Sequence, residues 1–199
     1  AARLASALVY MQLAARESLQ SGAIGLIAWS QSNMIPLYMQ AQKTAAADSV
    51  AEILKSITDT TRDEPALTKC YYGLGNYYYL KSYYATAQGY FLKSLEINKR
   101  ISETSDDNRY RMEYAVQSYM LYKIYCNNEL FDKALAAHRD GSRFMHSSST
   151  LTLRYQSAYV DAYTNLPIAN IDSALYYYHR LEEAPKGTKG MGSEYVMSN

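Results

Sequence analysis

Two tyrosine-rich stretches near the middle of the chain, residues 71–79 and 84–95, constrain the fold more than any other part of the sequence. Their large residues recur at spacings of three and four, which is the period of an α-helix. Gly75 lies in the middle of the first stretch, where glycine costs about 1 kcal/mol relative to alanine, and the small Ala87 lies in the second. Because two backbones approach closely only where bulk is absent, we expect two helices that pack against each other here.

The order of these residues resembles the tetratricopeptide repeat, a helix–turn–helix unit of 34 residues with a Leu-Gly pair, an alanine and two aromatic residues at fixed offsets. Ser94 replaces an alanine of the family pattern, and Lys99 replaces the proline that often ends the unit. The resemblance implies an all-α fold, a right-handed superhelical solenoid of helix pairs. The matching residues are Leu74, Gly75, Tyr78, Tyr84, Ala87 and Phe91.

Weaker copies of the pattern are found elsewhere in the chain, as a solenoid requires, because one helix pair cannot bury its own apolar face. The sequences 131–135 and 171–175 match the start of the second helix, and 48–51 is an earlier copy. The equivalent positions are separated by 37, 47 and 40 residues, which exceeds the minimal repeat. These positions are assigned to Val50, Ala87, Ala134 and Ala174.

About nine helices are expected in a single array. Its predicted parts are an N-terminal helix or cap (1–30), a divergent repeat (31–60), the clearest repeat (64–101), two further repeats (108–146 and 149–183), and a loop with the start of a truncated repeat (184–199). Pro36 either kinks a helix or lies in the first turn of one. Cys70 and Cys126 fall on separate first helices, so we expect two reduced thiols.

Composition favours a protein-binding chain over other classes. Basic and acidic residues number 20 and 19, so the net charge of +1 points neither to nucleic acid nor to an anionic membrane surface as a partner. No apolar stretch has the eighteen or so residues that a membrane span requires. The three histidines have no carboxylate or cysteine partner at ligand spacing, so we predict no enzyme activity, metal or cofactor. The compartment and the oligomeric state stay open.

In the repeat family, the first helix of each pair lines a concave groove in which partner peptides lie. An asparagine at the position of Asn76 commonly bonds the peptide backbone there. The clamp that some members use for a terminal carboxylate is not expected, because Lys123 replaces one of its asparagines. Tyrosines in the groove would favour apolar or aromatic segments, or an inserted helix. By this resemblance the groove residues are Lys69, Tyr72, Asn76, Tyr79, Tyr119, Lys123, Tyr159 and Tyr163.

The sequence therefore predicts a non-enzymatic scaffold that binds a peptide or protein segment in its groove. The long repeats and abundant tyrosines, 22 of 199 residues, are similar to the repeat regions of bacterial sensors and regulators. That likeness implies the sensing or docking part of a longer protein. The alternative is a free-standing adaptor or lipoprotein, and an enzyme or nucleic-acid-binding domain is the more distant one.

Overall fold

A computed structural model describes residues 2–105, 107–143, 159 and 170–182. Every regular element in these ranges is an α-helix and none is a strand, which confirms the all-α prediction. None of these helices is both long and apolar enough to span a membrane. The expected helix near 149–165, apart from residue 159, and the loop at 184–199 lie outside the described residues. The helices are α1 (Ala2–Ser21), α2 (Ile24–Gln40), α3 (Thr44–Thr60), α4 (Glu64–Leu80), α5 (Tyr84–Thr104), α6 (Asn108–Asn127), α7 (Phe131–Ser142) and α8 (Ile171–Glu182).

The chain divides into two compact units, Ala1–Asp106 and Asp107–Asn199. The first unit contains α1 to α5, in which α2 packs on α3 and α4 packs on α5. In the second unit α6 packs on α7. We call α2, α4 and α6 the first helices, and α3, α5 and α7 the second helices, of three pairs.

The three-residue turns inside these pairs have the same backbone geometry. The middle residue has a positive φ in each: 58° at Gln42, 64° at Ser82 and 58° at Glu129. The next residue donates its N–H to a carbonyl five positions earlier, which is a Schellman-type helix end. These bonds are Lys43 to Tyr38 (2.9 Å), Tyr83 to Tyr78 (2.9 Å) and Leu130 to Tyr125 (2.8 Å).

The turns also define the register of the second helices. Five positions after the left-handed residue comes an alanine, namely Ala47, Ala87 or Ala134, whose N–H bonds the carbonyl four residues before it. Ala174 makes the same bond in α8. Ala47 is thus the equivalent of Ala87, and the prediction of Val50 is wrong by one helical turn. Both residues are buried three positions apart, so the apolar pattern of α3 fits either register.

Helices α4 and α5 meet where Gly75 passes under the ring of Phe91. A Cβ on Gly75 would lie 2.8 Å from Phe91 Cδ1 and Cε1, which leaves no room for a side chain. Leu74, Ala87 and Phe91 are completely buried around this point. Tyr78 and Tyr84 are half-buried at its margin.

The crossing of α6 and α7 has a larger residue on the first helix and a smaller ring on the second. Tyr122 replaces Gly75 and His138 replaces Phe91, and the two ring centroids are 4.9 Å apart. Both side chains are buried, with His138 wholly inaccessible. The added bulk on the first helix is therefore matched by a smaller ring on the second.

Helix α2 lies beside α4 in the first unit. Ser32 Oγ donates a 2.6 Å hydrogen bond to the carbonyl of Lys69. A Cβ built on Gly73 would lie 2.5 Å from Ser32 Oγ. Short turns on both sides of α3 make two successive antiparallel hairpins, so α2 and α4 run in the same direction. Pro36 lies inside α2, four residues before its end.

Candidate functional site

One face of α4 carries the four groove residues predicted there. Lys69, Tyr72, Asn76 and Tyr79 follow one another at spacings of three, four and three, so they lie on one side of the helix. All four are half-buried, whereas the opposite side supplies completely buried residues such as Leu74. With a rise of about 1.5 Å per residue, this α4 face is about 15 Å long.

The second helix of the pair holds the two tyrosine rings of the α4 face in place. The ring of Tyr72 meets Phe91 edge-on at a centroid distance of 5.9 Å. The ring of Tyr79 is tilted against Tyr84 at 5.6 Å. Each ring is packed on one side and partly accessible on the other, so its orientation is set before any partner binds.

Two positions of the α4 face have exposed counterparts on α2, which sequence reasoning did not assign. The turns at Gln42 and Ser82 place α2 and α4 40 residues apart in register. Trp29 and Pro36 are then the equivalents of Lys69 and Asn76, and both are exposed, with Trp29 at 45%. This 40-residue offset was the signal that could have identified them, but aligning Val50 with Ala87 concealed it.

All four remaining predicted groove residues belong to the second unit; the structure describes three of them, and two of these share an accessible face. Tyr119 and Lys123 lie one turn apart on α6 and are half-buried; Tyr119 stacks on Tyr122 at 6.0 Å. Tyr159 is only 6% exposed, so its assignment to an open groove is wrong. Its ring packs against His138 at 3.8 Å and, at 4.2 Å, against the ring of Tyr177. Tyr163 lies outside the described residues.

A polar network joins α3 to the end of α4. The Tyr77 hydroxyl donates a 2.6 Å hydrogen bond to Asp48 Oδ1, and Lys81 Nζ is 3.0 Å from the same oxygen. The bond from Tyr77 is the main reason that the pKa of Asp48 is lowered, with Lys81 second. Burial raises the pKa of Tyr77. This network fixes the position of the helix that carries the α4 face.

The described residues contain no group of histidine, cysteine, aspartate and glutamate side chains that could hold a metal ion. Cys70 is buried, and burial raises the pKa of its thiol to about 12. It is not joined to Cys126 by a disulfide. A thiol with such a pKa is protonated at neutral pH and is a poor nucleophile.

Comparison with known proteins gives a fold and no family. No family model matches the chain, and no curated protein matches it. Among solved structures it is similar to the crystal structure of BtubC (BKLC) from P. vanneervenii, with a TM-score of 0.71 and 17% identity over 93% of this chain and 74% of that chain. The two chains share a fold. An identity this low carries no function from one to the other.

Proposed function

We propose that this chain is a non-enzymatic interaction scaffold that binds a peptide or protein segment along the exposed face of its first helices. The α4 face carries the proposal, because it presents two oriented tyrosines, an amide and an ammonium group on one accessible side. Trp29 and Pro36 extend it to the neighbouring helix. Tyrosine and tryptophan are the residues on which binding energy is most often concentrated.

We also propose that the helix pairs form a right-handed solenoid of about nine helices related to the tetratricopeptide repeat. Three turns with one geometry and a recurring register support this arrangement. The parallel packing of α2 beside α4 supports it within the first unit. In such an array, each added pair lengthens the binding face by one first helix.

The chemistry of the α4 face suits a short extended segment. The amide of Asn76 can both donate to and accept from a peptide backbone, and Lys69 offers a positive charge. An extended chain rises about 3.3 Å per residue, so about five residues span the 15 Å of the face. A net charge of +1 makes protein a better partner than nucleic acid.

The biological setting that fits best is the sensing or docking part of a longer bacterial regulator. The long repeats and abundant tyrosines of the sequence support this. A free-standing adaptor or lipoprotein is the alternative. An enzyme is the least favoured, because the arrangement of the described side chains suggests no reaction.

The test is selection of linear twelve-residue peptides from a random display library, followed by affinity measurements on the full chain by fluorescence anisotropy. Asn76→Ala and Tyr72→Ala should each raise the Kd of the selected peptides roughly tenfold. Lys93→Ala, an exposed change on α5, is the matched control and should alter Kd less than about twofold. Melting temperatures recorded in parallel show that the variants are folded. Peptides that bind all three variants as well as the wild type would refute the proposal.

A further inference from the structure

The two tyrosine rings of the α4 face follow each other along the helix axis. Tyr72 and Tyr79 are seven residues apart in sequence, which is almost two helical turns and about 10.5 Å. Their rings pack from behind on Phe91 and Tyr84, at centroid distances of 5.9 and 5.6 Å. Because both tyrosines are only half-buried, they form two accessible aromatic contact points at a fixed separation.

This separation matches one turn of a polyproline II helix. Such a segment rises about 3.1 Å per residue with three residues per turn, so residues i and i+3 point the same way about 9.3 Å apart. In an extended strand, the side chains on one face recur at every second residue, at about 6.6 or 13.2 Å. The polyproline II repeat differs from the tyrosine separation by about 1 Å, and the strand repeats differ by about 3–4 Å.

The polar groups of the α4 face are hydrogen-bond donors. The ammonium group of Lys69 can only donate, while the hydroxyl of Tyr72 and the amide of Asn76 can donate as well as accept. No carboxylate is among the residues of the face. Within the described part of the chain, the side chains of Tyr72 and Asn76 make no hydrogen bond. A ligand that complements this face therefore presents carbonyl groups and few N–H groups.

A proline-rich segment has this chemistry. Proline lacks a backbone N–H, and a polyproline II helix makes no internal hydrogen bonds, so its carbonyl groups are exposed. An α-helix also places side chains about 10.5 Å apart, at positions i and i+7. Its carbonyl groups are bonded within the helix, however, and offer no acceptor to Asn76. The donors of the face thus decide between two ligands that the spacing alone allows.

The neighbouring helix α2 adds an aromatic residue and no charge. Its 17 residues include no aspartate, glutamate, lysine or arginine, although these types make up 20% of the chain. Trp29, which is 45% exposed, precedes by one turn the Ser32 that donates to the carbonyl of Lys69. Trp29 therefore lies toward the Lys69 end of the α4 face. A charged ligand residue buried against α2 would be unpaired, so an uncharged segment fits better.

We infer that the α4 face binds a proline-rich segment in the polyproline II conformation, with prolines i and i+3 on the rings of Tyr72 and Tyr79. Asn76 lies between the two rings and donates its amide to a carbonyl group of the segment. This inference rests on the proposed peptide-binding function and specifies its ligand class. Aromatic-lined grooves suit polyproline II segments because the ligand is already ordered before it binds.

Two peptides test the spacing by fluorescence anisotropy with the full chain. Both have twelve residues, namely four prolines and eight alanines or serines, with fluorescein at the N-terminus and an amidated C-terminus. The first has proline at every third position. The second has the same composition with prolines at positions one, three, five and seven, so no two are three apart. The first peptide should bind with a Kd roughly fivefold lower, because only its prolines reach both rings.

Asn76→Asp tests the donor, because the carboxylate has the shape of the amide but can only accept hydrogen bonds. We expect the Kd of the first peptide to rise roughly tenfold. Gln20→Glu is the matched control, since it makes the same chemical change at an exposed position of α1. It should alter Kd less than about twofold. Melting temperatures recorded in parallel show that both variants are folded.

Either of two results would overturn the inference: equal affinity of the wild type for the two peptides, or unchanged affinity of Asn76→Asp for the first. The random peptide library separates this inference from the proposed function. Selected peptides that lose affinity for Asn76→Ala but show no excess of prolines three positions apart would refute the polyproline II ligand and leave the peptide-binding function intact. Failure to select any peptide that depends on Asn76 would refute both.

Discussion

Gly75→Ala is the sharpest test of the packing between α4 and α5. The added methyl group would lie 2.8, 2.8 and 2.9 Å from Cδ1, Cε1 and Cζ of Phe91, and Phe91 is completely buried. Overpacking of this kind costs about 1–3 kcal/mol, and the rigid ring at the contact favours the upper half of that range. Replacing a helical glycine by alanine returns about 1 kcal/mol. We therefore expect a net loss of roughly 1–2 kcal/mol in the free energy of unfolding.

Gly89→Ala provides the control within the same helix pair. Nothing lies within 4 Å of a Cβ built at Gly89, so only the gain in helix propensity remains, about 1 kcal/mol. The two identical substitutions should thus have opposite signs. Adding Phe91→Leu to Gly75→Ala should cost less than Phe91→Leu alone, because the smaller side chain relieves the overlap.

Urea unfolding followed by tryptophan fluorescence makes the measurement. Trp29 is the single tryptophan of the chain and lies in the first unit, so its signal reports the unit that contains both glycines. Gly75→Ala with unchanged or increased stability would show that the α4–α5 contact is not as described. The double-mutant cycle with Phe91→Leu then distinguishes a Phe91 ring that moves aside from a helix register in which Gly75 does not face Phe91.

Three further predictions concern the turns, the polar network and the thiols. Ser82→Gly should stabilise the first unit by about 0.5–1 kcal/mol, because it removes the steric strain of a non-glycine residue in the left-handed conformation. Gly22→Ala should destabilise it by introducing such strain at φ 68°, and the urea midpoints of the two variants check both expectations. Asp48→Asn should lower stability at neutral pH, because the lowered folded-state pKa of Asp48 means that its charged form stabilises the fold. The difference from the wild type should start to shrink as pH falls below 3.8, the ordinary pKa of the group, and should vanish below the lowered folded-state pKa; pH-dependent melting curves that stay parallel would contradict this. Iodoacetamide at mildly alkaline pH should label the half-buried Cys126 and spare Cys70 until the protein unfolds, as peptide mass analysis would show.

Much of the helical structure could be predicted from the sequence because the signals are local. Apolar spacing and turn positions located α4 and α5 to within a few residues of their observed bounds, Glu64–Leu80 and Tyr84–Thr104. Pro36 could not be resolved in this way. A proline inside a helix removes one backbone hydrogen bond and clashes with the preceding turn. Only the packing of α2 against three neighbouring helices favours the uninterrupted helix.

The candidate site was predicted less well, because accessibility depends on which neighbours are present. Tyr159 and Tyr119 follow similar local patterns, yet Tyr159 is buried against His138 and Tyr119 is half-exposed. Leu26 and Trp29 lie in an apolar stretch of sequence, yet they are 55% and 45% exposed. Which large apolar residues stay accessible depends on the helices packed around them, which no window of sequence can show.

The pairing of neighbouring helices has a consequence for how the protein folds during synthesis. Each first helix packs on the second helix that follows it after only three residues, so these contacts close short loops and cost little chain entropy. Such topologies fold quickly. The unit formed by residues 1–106 has its own packed core, built from α1 to α4. It can therefore complete its core while the ribosome is still translating α6. The apolar surface that the unfolded chain exposes is then buried early, which protects it from aggregation.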